Sequence, residues 1–270
     1  MGRLGIIAGA GTLPKELIDA CRRDQRDFFV LGIEKHADPA FLADAPHQYV
    51  RLGQTGTSIA ILKKNNVDTV VMAGAVRRPT LSEMRPDWRT IQVFARLGSR
   101  ALGDDALLRA VSAELESEGF RVVGVQDIEP ALITPPKTLT AFTPLPDHMA
   151  DIEYGIRVTK VLGQMDVGQA AVVQQGIVLG LEAVEGTDAL LDRCRSVRRK
   201  GRGGVLVKSC KPQQDKRADL PTIGIRTVRK AYEAGLVGIA VEAGSTIILG
   251  RQDVVEAANR LGLFIHGYTA

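Results

Sequence analysis

Aromatic residues are scarce in this chain: one Trp, four Tyr and seven Phe make up 4% of 270 residues. A surface that stacks successive bases needs more, so nucleic acid is not an expected partner. Cysteine is rarer still, and Cys21, Cys194 and Cys210 show no CxxC spacing. Three isolated thiols do not make a disulfide framework, and a reduced, cytoplasmic setting is the expectation. His36, His47, His148 and His266 are scattered, with neither an HExxH motif nor a Cys/His cluster, which argues against a structural zinc site. No apolar run approaches the roughly 20 residues needed to cross a bilayer. The N-terminus runs straight into a strand pattern, so no signal peptide is expected. Any membrane contact is therefore expected to be peripheral.

What is present is aliphatic and mildly basic. Apolar residues reach 45%, enough to fill real cores, and 270 residues exceed the usual size of one core, so two domains are expected. The formal net charge of +4 and the pI near 9.0 suit an anionic small ligand or an anionic membrane surface. In the first half, Leu4–Ala8, Phe28–Gly32, Thr69–Ala73 and Arg121–Gly124 read as short apolar strands. Helical patterns lie between them, including Asp104–Glu118 with Leu107, Leu108, Val111 and Leu115 on one face. This alternation predicts an α/β fold with a Rossmann-like, parallel, doubly wound sheet over residues 1–130. Pro130, Pro135, Pro136, Pro144 and Pro146 then mark a proline-rich linker, taken as 131–150. Residues 151–270 read as a mixed α/β domain with hairpins. Ala170–Glu182 is expected to turn at Gln175-Gly176, and two further strands are expected around Ala243-Gly244.

Several loops at strand ends could carry chemistry. Lys211-Pro-Gln-Gln-Asp-Lys-Arg-Ala-Asp219, closed by Pro221, follows the apolar run Gly204–Ser209. Cations beside carboxylates at a strand end suit phosphate chemistry: the cations hold anionic oxygens, and a carboxylate holds a metal or orients water. A solvated charged loop has the same composition. Lys208 and Lys211 are the candidate phosphate contacts. Gly9, Ala10 and Gly11 lie between a strand and a helix, where backbone N–H groups can hold phosphate. The segment has G-x-G but Pro14 in place of the third glycine of a dinucleotide fingerprint, and Glu34 sits near the place of a ribose-binding acid. A plain tight turn fits equally. Gly74, Ala75 and Val76, followed by Arg77 and Arg78, repeat the arrangement after another strand, and two such loops point to one crevice. Asp104 and Asp105 open a helix. One aspartate there is a favoured cap, and a second leaves room for Mg²⁺. Thr187 and Asp188 pose the same choice, and Glu182 and Glu242 end predicted strands. The basic stretch Arg195–Gly204 suits either a solvated hairpin or a contact with anionic lipid.

Four stretches together, Ile7–Pro14, Gly103–Leu108, Glu182–Asp188 and Lys211–Gly224, resemble the LpxI-type UDP-2,3-diacylglucosamine pyrophosphatases of Gram-negative lipid A synthesis. The resemblance runs nearly end to end. It implies hydrolysis of UDP-2,3-diacylglucosamine to lipid X and UMP with Mg²⁺, Mn²⁺ being a substitute, and with water attacking the sugar-side phosphorus. It also implies a Rossmann-like N-terminal domain, a linker and a distinct C-terminal α/β domain, with ligand between the two. The family's essential aspartate falls on Asp219, its paired acidic helix start on Asp104 and Asp105, and its Gly-Thr-Asp element on Gly186, Thr187 and Asp188. Thr57 departs from the pattern, standing where the family's lysine is expected. A calcineurin-like metallophosphoesterase, the other pyrophosphatase type for this step, needs Asp-x-His and Gly-Asn-His motifs that four scattered histidines do not supply. The implied partner is a small lipid-nucleotide substrate, with peripheral contact to the inner membrane from the cytoplasm; a homodimer is compatible with this reading. Two rival functions stay open from the residues alone: a nicotinamide-dependent oxidoreductase built on Gly9 and Gly11, and a non-catalytic lipid or nucleotide carrier.

Overall fold

A computed structural model describes residues 2–76, 86–97 and 104–269, with the side chains at 96, 97, 104 and 105 outside that description. By its contacts the chain divides into two units. One is Met1–Pro130 with Asp215–Asp219, the other Ala131–Gln214 with Leu220–Ala270.

The first unit contains β1 (Arg3–Ala8), α1 (Leu13–Arg23), β2 (Phe28–Ile33), α2 (Pro39–Leu42), β3 (His47–Val50), α3 (Thr55–Lys64), β4 (Val67–Ala73), α4 (Trp88–Leu97), α5 (Asp104–Ser117), β5 (Arg121–Val123) and α6 (Val125–Ile128). Its strands form a sheet of order β3-β2-β1-β4-β5, every pair parallel. The chain winds outward from β1 to β3 and then restarts on the other side at β4, so the topological switch point lies between β1 and β4. All six residues of β2, Phe-Phe-Val-Leu-Gly-Ile, are buried, as a parallel strand covered on both faces requires. Leu31, Ile59, Leu62, Val70, Leu115 and Phe120 form one core cluster. Each such aliphatic side chain contributes about 1.5–3 kcal/mol when fully buried. Pro14 stands in the first turn of α1, where its missing N–H would have no partner in any case.

The second unit contains α7 (Pro146–Gln164), β6 (Ala170–Gln174), β7 (Ile177–Leu181), α8 (Gly186–Val197), β8 (Val205–Lys208), β9 (Thr222–Ile223), α9 (Ile225–Glu233), β10 (Gly238–Glu242), β11 (Ile247–Ile248), α10 (Arg251–Arg260) and β12 (Phe264–Tyr268). Its main sheet has the order β12-β10-β8-β6-β7. β12, β10 and β8 run parallel, while β6 is antiparallel to both β8 and β7. The C-terminal ends of β7, β8, β10 and β12 therefore share one edge with the start of β6. The expected hairpin is present: Gln175 (φ 54°) and Gly176 (φ 73°) are both left-handed, the signature of a tight hairpin turn. Their N–H groups donate to the Asp151 carboxylate at 3.0 and 2.7 Å.

The strands expected around Ala243-Gly244 exist, but they do not form a second hairpin. β11 leaves β10 and pairs with β9 in parallel. The turn after β10 is captured elsewhere: Gly244 N–H donates to Thr134 O at 2.9 Å, and Thr134 N–H to Thr246 O at 2.9 Å. Residues 133–139 run beside β12, with Leu139 N–H donating to Ile265 O and Gly267 N–H to Lys137 O. An otherwise open strand edge is thereby covered. No helix among the described residues is long and apolar enough to cross a membrane.

Candidate active site

At the switch point of the first unit, the two glycine-containing loops meet each other. Ala10 N–H donates to Ala75 O at 2.7 Å, Ala75 N–H to Ala10 O at 2.9 Å, and Gly9 N–H to Ala73 O at 2.8 Å. A Cβ on Gly9 would lie 2.6 Å from Ala75 O, and one on Gly74 2.6 Å from Ala10 O. Both glycines thus serve the close approach of two backbones. The amides of Ala10 and Ala75 are spent on one another. Gly11 differs: its φ is +91°, and a Cβ there would meet nothing within 4 Å. The loop is open at Gly11, immediately before the head of α1, where helix geometry leaves N–H groups for a ligand. Val76 is exposed, and Arg77 and Arg78 lie outside the described residues. Glu34, placed as a ribose ligand would be, is paired with Arg51 at 3.1 Å. Thr57 lies in the first turn of α3, its N–H 3.3 Å from the Asp87 carboxylate.

The shared strand edge of the second unit carries side chains instead. Lys208 closes β8, a strand buried at every position, and is itself only 6% exposed. Its ammonium donates to Thr187 Oγ1 at 2.9 Å and to Thr222 O at 3.3 Å. Thr187, in the first turn of α8, donates in turn to Glu182 Oε1 at 2.5 Å. Glu182 follows β7, is 6% exposed, and accepts the Gln169 N–H on its other oxygen at 3.0 Å. Next to Lys208, Ser209 Oγ lies 2.5 Å from Thr159 Oγ1 and 2.6 Å from the Tyr268 hydroxyl. Burial pushes the Tyr268 phenol well above its usual range, so it stays protonated and donates to Lys208 O at 3.3 Å. Glu242, ending β10, accepts the Cys210 N–H at 3.0 Å. Sequence reasoning picked out Lys208 and Thr187 but not their contact, and it missed Ser209 and Tyr268. The one available signal was a charged residue closing a wholly apolar run.

Much of the charge-dense segment is already paired. Lys211 pairs with Asp166 at 2.7 Å. Arg217 grips Asp215 through three N–H groups and reaches Glu116 at 2.6 Å. The Arg217 guanidinium holds the Asp215 carboxyl below the usual carboxylate range. Ala218 and Asp219 both donate their N–H to Asp215 O, at 2.9 and 3.0 Å, so Asp219 leaves a tight turn, half-buried. This turn groups with the first unit, whereas Lys208, Lys211 and Thr187 belong to the second. The backbones of Asp104 and Asp105 open α5; their side chains lie outside the description.

A parallel α/β unit with open loops at its switch point, and a second α/β unit with a buried cation at its strand ends, define a class of protein suited to an anionic ligand. Residues 3–132 match the LpxI N-terminal domain and residues 135–266 the LpxI C-terminal domain. Over 274 residues, 99% of this chain and 98% of its relative, the sequence is 42% identical to the UDP-2,3-diacylglucosamine pyrophosphatase LpxI of Caulobacter vibrioides. The chain belongs to the LpxI family. Among solved structures, CobK precorrin-6A reductase aligns with 100% of this chain and 90% of its own, at 14% identity and a TM-score of 0.37. The UDP-glucose 4-epimerase of Thermus thermophilus in complex with NAD aligns with 99% of this chain and 85% of its own, at 11% identity and a TM-score of 0.33. At those scores neither bears on the reaction.

Proposed function

We propose that this protein hydrolyses UDP-2,3-diacylglucosamine to 2,3-diacylglucosamine 1-phosphate (lipid X) and UMP in lipid A biosynthesis. The observation that carries this reading is the 42% identity to a pyrophosphatase of that name along essentially the whole of both chains. One water adds, one phosphoanhydride P–O bond breaks, and no redox partner is needed. Lys208 supports the reading physically: its ammonium is buried on two neutral oxygens. A buried cation in that setting gains most from an anionic partner such as pyrophosphate. Lys211 joins it after releasing Asp166. The amides at Gly11 and the head of α1, with the Gly74–Val76 loop, bind the remaining anionic or nucleotide oxygens. Asp219 orients the water or holds the metal. Water attacks the sugar-side phosphorus, and the cations stabilise the charge that develops as UMP departs.

Among the described residues no three His, Cys, Asp or Glu side chains converge on one point. Mg²⁺ does not require such a cage, since one or two carboxylates plus substrate phosphates commonly hold it. Asp219, Asp104 and Asp105 are the residues proposed to hold Mg²⁺, or Mn²⁺ in its place. When bound, the ion would offset phosphate charge and acidify a water. We place the protein in the cytoplasm at the inner membrane surface. The exposed Arg198, Arg199 and Lys200 follow α8, on a loop held from beneath by Gln174. That contact should weaken with salt.

Pure protein with UDP-2,3-diacylglucosamine and Mg²⁺ should release UMP. In ¹⁸O-water the label should enter lipid X. Chelation with EDTA should stop turnover, and added Mg²⁺ should restore it. Folded protein that releases no UMP overturns the reading. Label in UMP moves the attack to the other phosphorus, and full activity in EDTA removes the metal.

A further inference from the structure

We infer that Glu182 is a positioning residue that keeps the Lys208 ammonium unpaired and aimed at phosphate, acting through the Thr187 hydroxyl. The inference rests on the pyrophosphatase reading for the identity of the anion, but the network itself stands on geometry alone.

Glu182 and Lys208 are both 6% exposed, and opposite charges at such burial ordinarily touch. Here the Thr187 hydroxyl stands between them. It donates to Glu182 Oε1 at 2.5 Å, and its oxygen accepts from Lys208 Nζ at 2.9 Å. A hydroxyl has one proton to give. With that proton committed to the carboxylate, its lone pairs are left facing the ammonium. An ammonium has three N–H donors. Two are taken by Thr187 and Thr222 O, and the third has no protein acceptor among the described residues. A direct Glu182–Lys208 ion pair would make a phosphate compete with a carboxylate for the same cation. The inserted hydroxyl avoids that competition while the carboxylate still supplies the compensating charge nearby.

The polarity of the chain depends on Glu182 offering an acceptor on both sides. Both its oxygens accept, one from Thr187 and the other from the Gln169 N–H. An amide at position 182 can satisfy only one of these donors with its oxygen. If that oxygen takes the Gln169 N–H, the NH₂ group faces Thr187 and the hydroxyl must turn its proton toward Lys208. Donor then meets donor. Glu182→Gln is nearly isosteric, yet it should break the Lys208 contact. Thr187→Val should break it by removing the hydroxyl, and Thr187→Ser should restore it.

Two readouts separate this inference from the pyrophosphatase reading. In ¹⁵N-lysine-labelled protein, a buried ammonium held by two hydrogen bonds should give a slowly exchanging ¹H–¹⁵N signal that Lys208→Met identifies. The signal should survive in Thr187→Ser and vanish in Thr187→Val and Glu182→Gln. With UDP-2,3-diacylglucosamine and Mg²⁺, the last two variants should each raise KM roughly 10- to 100-fold, the range of one charge-assisted hydrogen bond. Their effect on kcat should be smaller, and Thr187→Ser should recover most of the loss. The double variant should lose no more than either single one, because both changes cut the same chain. Signal or KM left at wild-type values in folded Glu182→Gln overturns the inference, and so do additive losses in the double variant. Wild-type protein that shows the expected NMR pattern but no UMP release would instead remove the proposed reaction and leave the network standing.

Discussion

The two sheets end their strands in different materials. The first presents backbone: Gly9 and Gly74 let two loops close on each other, and the loop stays open at Gly11, before the head of α1. The second presents side chains, with Lys208, Glu182, Thr187 and Tyr268 linked by hydrogen bonds at one edge. The difference follows from topology. An all-parallel sheet reaches its switch point with loops that lead into helices, which suits amide donors. The antiparallel β6 places the start of one strand among the ends of its neighbours, so residues far apart in sequence converge as side chains. Backbone sites depend on shape and tolerate few Cβ atoms, whereas side-chain sites depend on charge and its orientation.

Asp219 tests this contrast most severely, because with Asp104 and Asp105 it is among the side chains that the first unit is proposed to give to the reaction. Asp219→Ala should keep the fold and substrate binding while lowering kcat by at least ~10²-fold. Near-normal kcat in folded protein would remove Asp219 from the reaction. Gly74→Ala should destabilise the first unit by about 2–4 kcal/mol. Its Cβ would collide with Ala10 O, and φ at +92° adds strain. Gly11→Ala, with an open Cβ position, should lose only about 1 kcal/mol; equal losses in denaturant titrations would erase the distinction between these turns.

Acid should separate the units next. Burial, with Arg202 nearby, depresses the His148 imidazole, and burial depresses that of His266. The unfolded chain therefore binds protons that the folded second unit refuses. Its stability is full above the ordinary imidazole value of about 6.5 and falls as pH drops below it. In the first unit, Asp215 is depressed, so its contribution persists until pH falls through the ordinary aspartate value of about 3.9 and below. Thermal scans from neutral pH to about pH 5 should show the second unit weakening first, and His148→Gln should blunt that loss. Simultaneous weakening of both units would remove the contrast. The smallest effect belongs to Glu116→Gln, which removes only the half-exposed pair with Arg217 and is expected to cost about 1 kcal/mol or less.

Much of this was legible in the sequence, for local reasons. Gly9-Ala-Gly11 with Pro14, and Gln175-Gly176 between apolar runs, announce a strand–helix turn and a hairpin because only a few backbone geometries suit them. The alternation of strands and helices carried the fold class. Pairing between distant segments was not legible. Nothing local in Ile247–Ile248 distinguishes pairing with β10 from pairing with β9, since the choice depends on Thr134, more than a hundred residues away, holding Gly244. The chain Glu182–Thr187–Lys208 was hidden for the same reason. Glu182 and Thr187 are neighbours in sequence, but Lys208 reaches them only because β6 separates β8 from β7.

The grouping of Asp215–Asp219 with the first unit has a consequence for how the protein is made. During translation Met1–Pro130 emerges first, yet Glu116 meets Arg217 and Gln126 meets the Lys216 carbonyl only after about 85 further residues have been added. At elongation rates of roughly 5–20 residues per second, that interval lasts on the order of 4–17 seconds. Throughout it the nascent first unit lacks one of its own pieces, while α7, β6, β7, α8 and β8 are already leaving the ribosome. A stalled or truncated chain ending near residue 210 would carry every strand of the first sheet and still be short of a finished first unit.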